Sequence, residues 1–431
     1  MDTPTNRKLL IAIMGVLFFA IIIIVWYFFY AKPIIAPSLG GTIDPIKKIT
    51  TPPRFQFIER MWTTGTPTST TEVTDPAEDP LIEIWNKPST GQTFITEQIL
   101  KEVTATTSVG TSTLTIKKTI RATSTTLLFT DKITGYIYGY STELGKTHQI
   151  SNTIIPGVYD AYFFNNGEQV IMRYFDKDKN KIIALIANVP HVEPSGNAES
   201  LQNIQYLAGE VTSIAINKEK TFASYIVTTQ EGSSIYTLKD FRPTFVGSSP
   251  FKEWVLSYGD DDIHVTAKPS AYIPGAMMGV PSFQSEISEK TGLMTNPRNS
   301  NLSLNSMWGK NGLVTFFTNN GSIKIAPVET LASKCSWGYE NFLVCAVPRN
   351  LEGVVEGLPD DWFQGRTTFT DDLFIVDLTS NEKYTLYSFT EEDGLFDIKN
   401  ISINKTNDLI TFNKRQDATL WLLNTRLLSN E

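Results

Sequence analysis

Residues 161–189 read AYFFNNGEQVIMRYFDKDKNKIIALIANV, three apolar runs split by Asn165-Asn166-Gly167 and by Asp176-Lys177-Asp178-Lys179-Asn180. β-Branched and aromatic side chains suit a pleated surface, while Asn, Asp and Gly tolerate the positive φ of a tight bend. The stretch therefore predicts three consecutive antiparallel strands joined by hairpin turns.

The same pattern extends in both directions. Upstream stand TTLLFT and GYIYGYS; downstream come TSIAI, TFASYIVTT and SIYTL, then EWVLSY, DIHVTA and AMMGV, then SLNSMW, GLVTFFT and SIKIAPV. KCSW, FLVCAVP, DLFIVDL and KYTLYS follow, and IKNISI, DLITFNK and ATLWLLN close the series. Asn319-Asn320-Gly321 and Asn407-Asp408 again occupy bends. No helical period interrupts these runs. A unit of three or four antiparallel strands recurring roughly every 40 to 55 residues is how a β-propeller reads. The fold class expected is all-β, a propeller of about seven blades over residues 114–431.

Ahead of it, residues 9–31 (LLIAIMGVLFFAIIIIVWYFFYA) run 23 positions without a charge. As a helix this reaches about 34 Å, enough for one membrane span. A cleaved secretory signal has an apolar stretch of about 7–15 residues ending in small side chains. This one ends in Trp26, Tyr27 and Tyr30, side chains suited to a membrane interface. Arg7 and Lys8 precede the span and only Lys32 directly follows it, which predicts a cytoplasmic tail (residues 1–8) and an extracytoplasmic propeller. The lipid bilayer is thus an expected partner through residues 9–31, and the expected location is a cell membrane crossed once.

Residues 32–113 read as a neck. Two stretches within it, 63–80 and 104–113, are dominated by Thr, Ser, Pro and acids and are expected to be linker or long surface loop. LIEIW at residues 81–85 and the segment 93–100 between them look like short strands. The last propeller unit supplies only three strands, so the orphan IKKIT at residues 46–50 is the expected fourth, closing the ring against an exposed edge.

The chain carries a net charge of −8, and beyond residue 31 the balance is 35 basic against 44 acidic residues, so nucleic acid is not an expected partner. A charged fraction of 19% beside an aromatic fraction of 11% favours an ordered, aromatic-packed domain over a disordered stalk. The two cysteines, Cys335 and Cys345, fall nearly opposite each other if residues 338–341 hold a hairpin bend. They read either as a cross-strand disulfide or as two small buried core residues.

The strings TDKITGYIYGYS, FKEWVLSY followed by VTAKPSAYIPGAM, KCSW with CAVP, LPDDWFQG followed by DDLFIVDL, and LITFNKRQDATLWLLN resemble a family of membrane proteins. Its members are single-pass proteins of reduced-genome candidate-phylum bacteria with a WD-repeat-like or TolB-like propeller outside the membrane. The resemblance runs from residue 46 to 423 and is most specific around Trp337, Trp362 and Trp421. It implies an architecture and brings no catalytic residue with it. The Thr-rich insertions between residues 63 and 113 depart from it.

Chemistry-bearing patterns are few. Asp176, Asp178 and Asn180 match the start of a calcium loop, but Lys181 stands where its glycine belongs and Ala187 where its glutamate belongs. His148, His191 and His264 are not spaced as metal ligands, and neither a G-x-S-x-G elbow nor a phosphate-cradling loop occurs. No catalytic, cofactor-binding or metal residue is therefore expected. Trp254, Trp308, Trp337, Trp362 and Trp421 are read as recurring at similar places in successive units, a sign of packing between blades. Two segments, 270–281 and 348–365, are long and partly apolar; such loops on a rigid scaffold often carry recognition. Tyr272, Met277, Met278, Trp362 and Phe363 are their candidates for a binding face.

The function these features predict is a non-enzymatic scaffold at the cell envelope that binds a protein or peptide through the propeller's loop face. The alternative is a carbohydrate-binding or hydrolytic propeller with acids at its central channel, such as Asp371 and Asp372 or Asp360 and Asp361.

Overall fold

Seven four-stranded antiparallel sheets follow one another along the chain in a computed structural model that describes residues 79–109, 112–309, 312–339, 341–351, 357–390 and 393–430. Blades 1 to 6 occupy residues 89–149, 158–206, 210–249, 254–291, 294–325 and 335–387, and blade 7 joins residues 398–424 to Leu81–Trp85. The first strands of neighbouring blades touch one another and wall a central channel, with the short 3-10 turn Ala332–Lys334 completing the wall beside blades 5 and 7. The molecule is a seven-bladed β-propeller.

The strands read as continuous apolar runs because each blade is covered on both faces. Successive side chains of a strand point to opposite sides. In the second strand of blade 1, Leu127 and Phe129 pack with Leu409, Leu420 and Leu422 of blade 7, while Leu128 between them packs with Ala161 and Phe163 of blade 2. Likewise Val170 and Met172 of blade 2 join the core shared with blade 1, and Ile171 joins Val211 and Tyr225 of blade 3. Burying a large aliphatic or aromatic side chain contributes about 1.5–3 kcal/mol, and here each run feeds two cores at once. Bends carry the residues that the turn chemistry demands: Asn165 and Asn166 both have φ 50°, Asn320 has φ 47° and Asn407 φ 62°.

An N-terminal strand closes the ring, and it is Leu81–Trp85. It pairs antiparallel with Leu420–Asn424 in the register Leu81↔Leu423 to Trp85↔Leu420. Leu81 is buried in the core between blades 6 and 7. The junction is tied again where Ser89 N donates to the Ala418 carbonyl at 2.9 Å and Asn413 Nδ2 donates to Ser89 Oγ at 3.0 Å. Both flanks of Leu420–Asn424 are thereby occupied, so the place expected for residues 46–50 is taken by a different segment; residues 46–50 themselves lie outside the described residues.

Further readings need correction. Residues 104–113 are not a loop: strands Ser89–Val109 and Ser112–Asp131 form one long hairpin, in register from Thr93↔Leu128 to Val109↔Ser112. Threonine is β-branched, and a Thr-rich stretch with a paired partner extends readily. The third strand of blade 1 pairs only along residues 126–130, so the distal part of the hairpin is a two-stranded ribbon. The five tryptophans do not share a position. Trp254 and Trp337 stand on first strands, Trp308 on a second, Trp421 on a third, and Trp362 on the short helix Asp360–Phe363. Residues 9–31, with Trp26, Tyr27 and Tyr30, lie outside the described residues. Among the described residues no helix is long and apolar enough to cross a membrane.

Candidate functional site

Where the first strands begin, the channel forms a cavity of about 1120 Å³. Its wall is built from the start of blade 1 (Ser89, Thr90, Gly91, Thr93), the start of blade 2 (Tyr159 to Tyr162) and the first strand of blade 7 (Lys399 to Ser402). Gly91 sits here because its φ of +68° and the approach of blade 2 leave no room for more. A Cβ at this position would fall 2.7 Å from both Cβ and the carbonyl oxygen of Ala161.

The charge lining this cavity opposes that of the chain. Among the described residues, Lys132, Arg173, Lys220, Lys399 and Arg415 border it with a single carboxylate, Asp160, in a protein of net charge −8. Both arginines are engaged. Arg173 Nε donates to Asp160 Oδ1 at 2.8 Å, and its Nη1 donates to the carbonyls of Val211 (3.1 Å) and Thr212 (2.7 Å). Arg415 Nη1 lies 3.6 Å from Asp397 Oδ2, its Nη2 donates to the Trp362 carbonyl, and its guanidinium sits 5.1 Å from the Trp362 ring centre.

The three lysines have no such partner: among the described residues none forms an ion pair with a carboxylate. Lys220 Nζ donates to Thr93 Oγ1 and reaches the Phe94 carbonyl at 3.5 Å. Burial, helped by the positive charge of Lys405, pushes its ammonium down to about 8. Lys399 is also lowered, first by burial and then by Lys132 and Arg415, with Asp397 opposing. Burial lowers Lys132 too, against the pull of Asp160. Lys132 Nζ stands 5.7 Å from the Tyr159 ring centre.

Within the wall a contrasting cluster supplies its lysine with two carboxylates of its own, although Asp371 Oδ1 is buried without a hydrogen-bond partner. Lys334 Nζ, completely buried, lies 2.7 Å from Asp371 Oδ2 and 2.6 Å from Asp397 Oδ1. Asp397 also accepts from Trp362 Nε1 at 3.0 Å and from the Phe369 N–H at 3.2 Å, and Asp371 accepts from Ile398 N–H at 2.6 Å. Burial raises the Asp371 carboxyl to about 6, although Lys334 and the Ile398 N–H pull it down. These bonds join blade 6 to blade 7 and seat Trp362, and with it the exposed Phe363, at the channel mouth.

A second depression of about 830 Å³ shares Tyr159 and Arg173 with the channel cavity and runs past Glu210, Thr229, Trp254 and Lys268 of blades 3 and 4. At the other end of the channel, Lys220 also borders a cavity of about 270 Å³ with Cys335, Trp337 and Tyr339. Cys335 and Cys345 face each other in register on neighbouring strands, Cα atoms 4.1 Å apart, and form a disulfide within the core between blades 5 and 6.

The other sequence-predicted residues scatter. Trp362 and Phe363 line the channel cavity. Tyr272 is 72% exposed and borders none of the three cavities described. Met277 and Met278 are not loop residues: they lie in the third strand of blade 4, Pro274–Gly279, where Met277 is buried and Met278 packs toward blade 3. The acids considered for catalysis do not line the channel. Asp371 pairs with Lys334, Asp372 with Arg349 at 2.7 Å and Asp361 with Arg366 at 2.7 Å, and Asp360 accepts from the Ala271 N–H. The channel cations belong to no sequence motif, and their one signal is a lysine inside IKNISI and an arginine inside QVIMRYF, out of place in apolar strands.

No protein-family model and no curated protein sequence matches the chain. Solved structures similar to it include the β-propeller domain of the Trilobed protease from Pyrococcus furiosus, at 8% identity and a TM-score of 0.46 over 70% of this chain and 91% of that one. An oligogalacturonate lyase in complex with manganese is similar at 9% identity and a TM-score of 0.44, over 78% of this chain and 98% of that one. Likeness at this level carries no argument about activity, and the fold rests on the sheet order itself.

Proposed function

We propose that the chain is a membrane-anchored binding propeller, held by residues 9–31 with its tail in the cytoplasm and its blades outside, that captures a protein or peptide at the channel mouth without catalysis. The observation that carries this reading is the channel cavity with three lysines that no described carboxylate pairs, adjoining at Tyr159 and Arg173 the groove across blades 3 and 4. Among the described residues of the cavity wall the one acid is Asp160, bound to Arg173, and no second carboxylate faces it as a glycoside hydrolase would need. The hydrophobic length of residues 9–31 and the Arg7/Lys8 flank support the anchor and its orientation.

A photo-crosslinking side chain placed at Phe363, on the channel rim, or at Ile204, on the outer strand of blade 2, tests the binding face in intact cells. The expected result is a discrete adduct from position 363 and none from 204; adducts from 204 alone would overturn the reading. Protease added to spheroplasts should digest the blades before lysis. Protection until lysis would reverse the topology.

A further inference from the structure

Charges along the inner wall of the ring fall into two groups. Lys334, Arg173 and Arg415 each have a carboxylate; among the described residues Lys132, Lys220 and Lys399 have none. All three are half-buried at the edge of the cavity, and holding an ammonium partly out of water without a counter-ion costs free energy that apolar side chains at these positions would not. The three unpaired lysines come from different blades. Lys132 follows the second strand of blade 1, Lys220 the first strand of blade 3, and Lys399 lies within the first strand of blade 7. They bracket a space rather than a point, and that space is an open cavity.

We propose that Lys132, Lys220 and Lys399 receive the acidic end of a peptide, whose remaining chain leaves the channel past Tyr159 and Arg173 and follows the groove toward Trp254. This rests on the reading of the channel mouth as a binding face and adds the chemistry of what binds there. Separated cations suit several carboxylates better than one compact oxyanion. A groove that adjoins the cavity at Tyr159 and Arg173 suits a chain-like ligand. Thr90, Thr93, Asn400 and Ser402 line the path with groups able to bond a peptide backbone, and Phe363, 53% exposed, offers the rim an apolar contact. Carboxylates entering the site supply the missing counter-ions, so binding favours the charged lysines and weakens with salt.

The test is fluorescence anisotropy on the full-length protein in detergent, with a short labelled peptide ending in a run of glutamates and its glutamine counterpart. The acidic peptide should bind at least about tenfold more tightly, and Lys132→Gln and Lys399→Gln should each weaken it by about tenfold. Lys383→Gln, on the outer strand of blade 6, should leave it unchanged, and circular dichroism melts confirm that each variant is folded. Equal binding of the glutamine peptide would overturn the proposal, as would equal loss in Lys383→Gln or displacement of the peptide by millimolar inorganic phosphate, which would indicate a site for small oxyanions. Any of these outcomes with the Phe363 adduct retained leaves the binding-face reading standing; peptide binding without that adduct in cells would overturn the binding-face reading instead.

Discussion

Lys334 and Lys399 both stand at the inner wall of the ring, one on the turn ahead of blade 6 and the other on the first strand of blade 7, yet their surroundings differ in kind. Around Lys334 the fold has placed two carboxylates within 2.7 Å, and those carboxylates are bonded in turn by Trp362, Phe369 and Ile398. Around Lys399, after burial itself, the charges that act on it most strongly are of its own sign, Lys132 and Arg415, with Asp397 already committed elsewhere. A buried charge whose partners are complete belongs to the architecture. A half-buried one left without a carboxylate beside an open cavity is a candidate for completion by a ligand.

The largest effect expected from this contrast is at Lys334. Lys334→Met strands Asp371 and Asp397 without their cation and should lower stability by about 3–5 kcal/mol in urea unfolding. A loss below about 1 kcal/mol would mean that the cluster is not the brace between blades 6 and 7.

Asp371→Asn should cost less, about 1–2 kcal/mol, because Lys334 keeps Asp397. The variant should also change the acid branch of the stability curve. The folded carboxyl of Asp371 is raised to about 6 from 3.8, so its contribution is present in full below the unfolded value and is lost as pH rises through about 6. Unfolding titrations between pH 4 and 7 should lose that component in Asp371→Asn. An unaltered curve would show that the group does not titrate in this window.

The channel lysines predict the opposite slope at high pH. Lys220 falls to about 8 from 10.5, so between these values the unfolded chain holds a proton that the folded chain has released. Stability should therefore rise from about pH 8 toward 10, and Lys220→Met should flatten the rise. A fall over that range in the parent chain would contradict the uncompensated state of this lysine. The smallest effect is expected from the distal ribbon, which has no third strand. Replacing residues 98–123 by a tight turn should change stability by no more than about 0.5 kcal/mol.

The architecture was legible wherever both faces of a strand are buried. Runs such as LLF and VIM alternate between two cores, so every position is apolar and the strand stands out. The outer strands Gln202–Tyr206, Arg242–Ser249 and Gln284–Thr291 escaped recognition because most of their side chains meet water, and QNIQY has no buried residue at all. Ring closure was anticipated in kind and misplaced in segment. Both IKKIT and LIEIW carry two isoleucines, but LIEIW is the more apolar, and its Leu81 stands in register with Leu423. The Thr-rich stretch misled through composition, since polarity signals a loop only where no partner strand lies beside it. The site was less legible than the fold. Lys132, Lys220 and Lys399 lie far apart in sequence and converge only because a circular array of blades brings strands and turns from both ends to one channel.

The central claim is that the channel lysines are held against stability for the sake of a ligand, and Lys399→Gln tests it in one variant with two readouts. Urea unfolding of the full-length protein should show Lys399→Gln more stable than the parent by up to about 1 kcal/mol, while its affinity for an acidic peptide falls. A variant that loses stability and keeps its affinity would contradict the account, and Lys399 would then be a structural residue like Lys334.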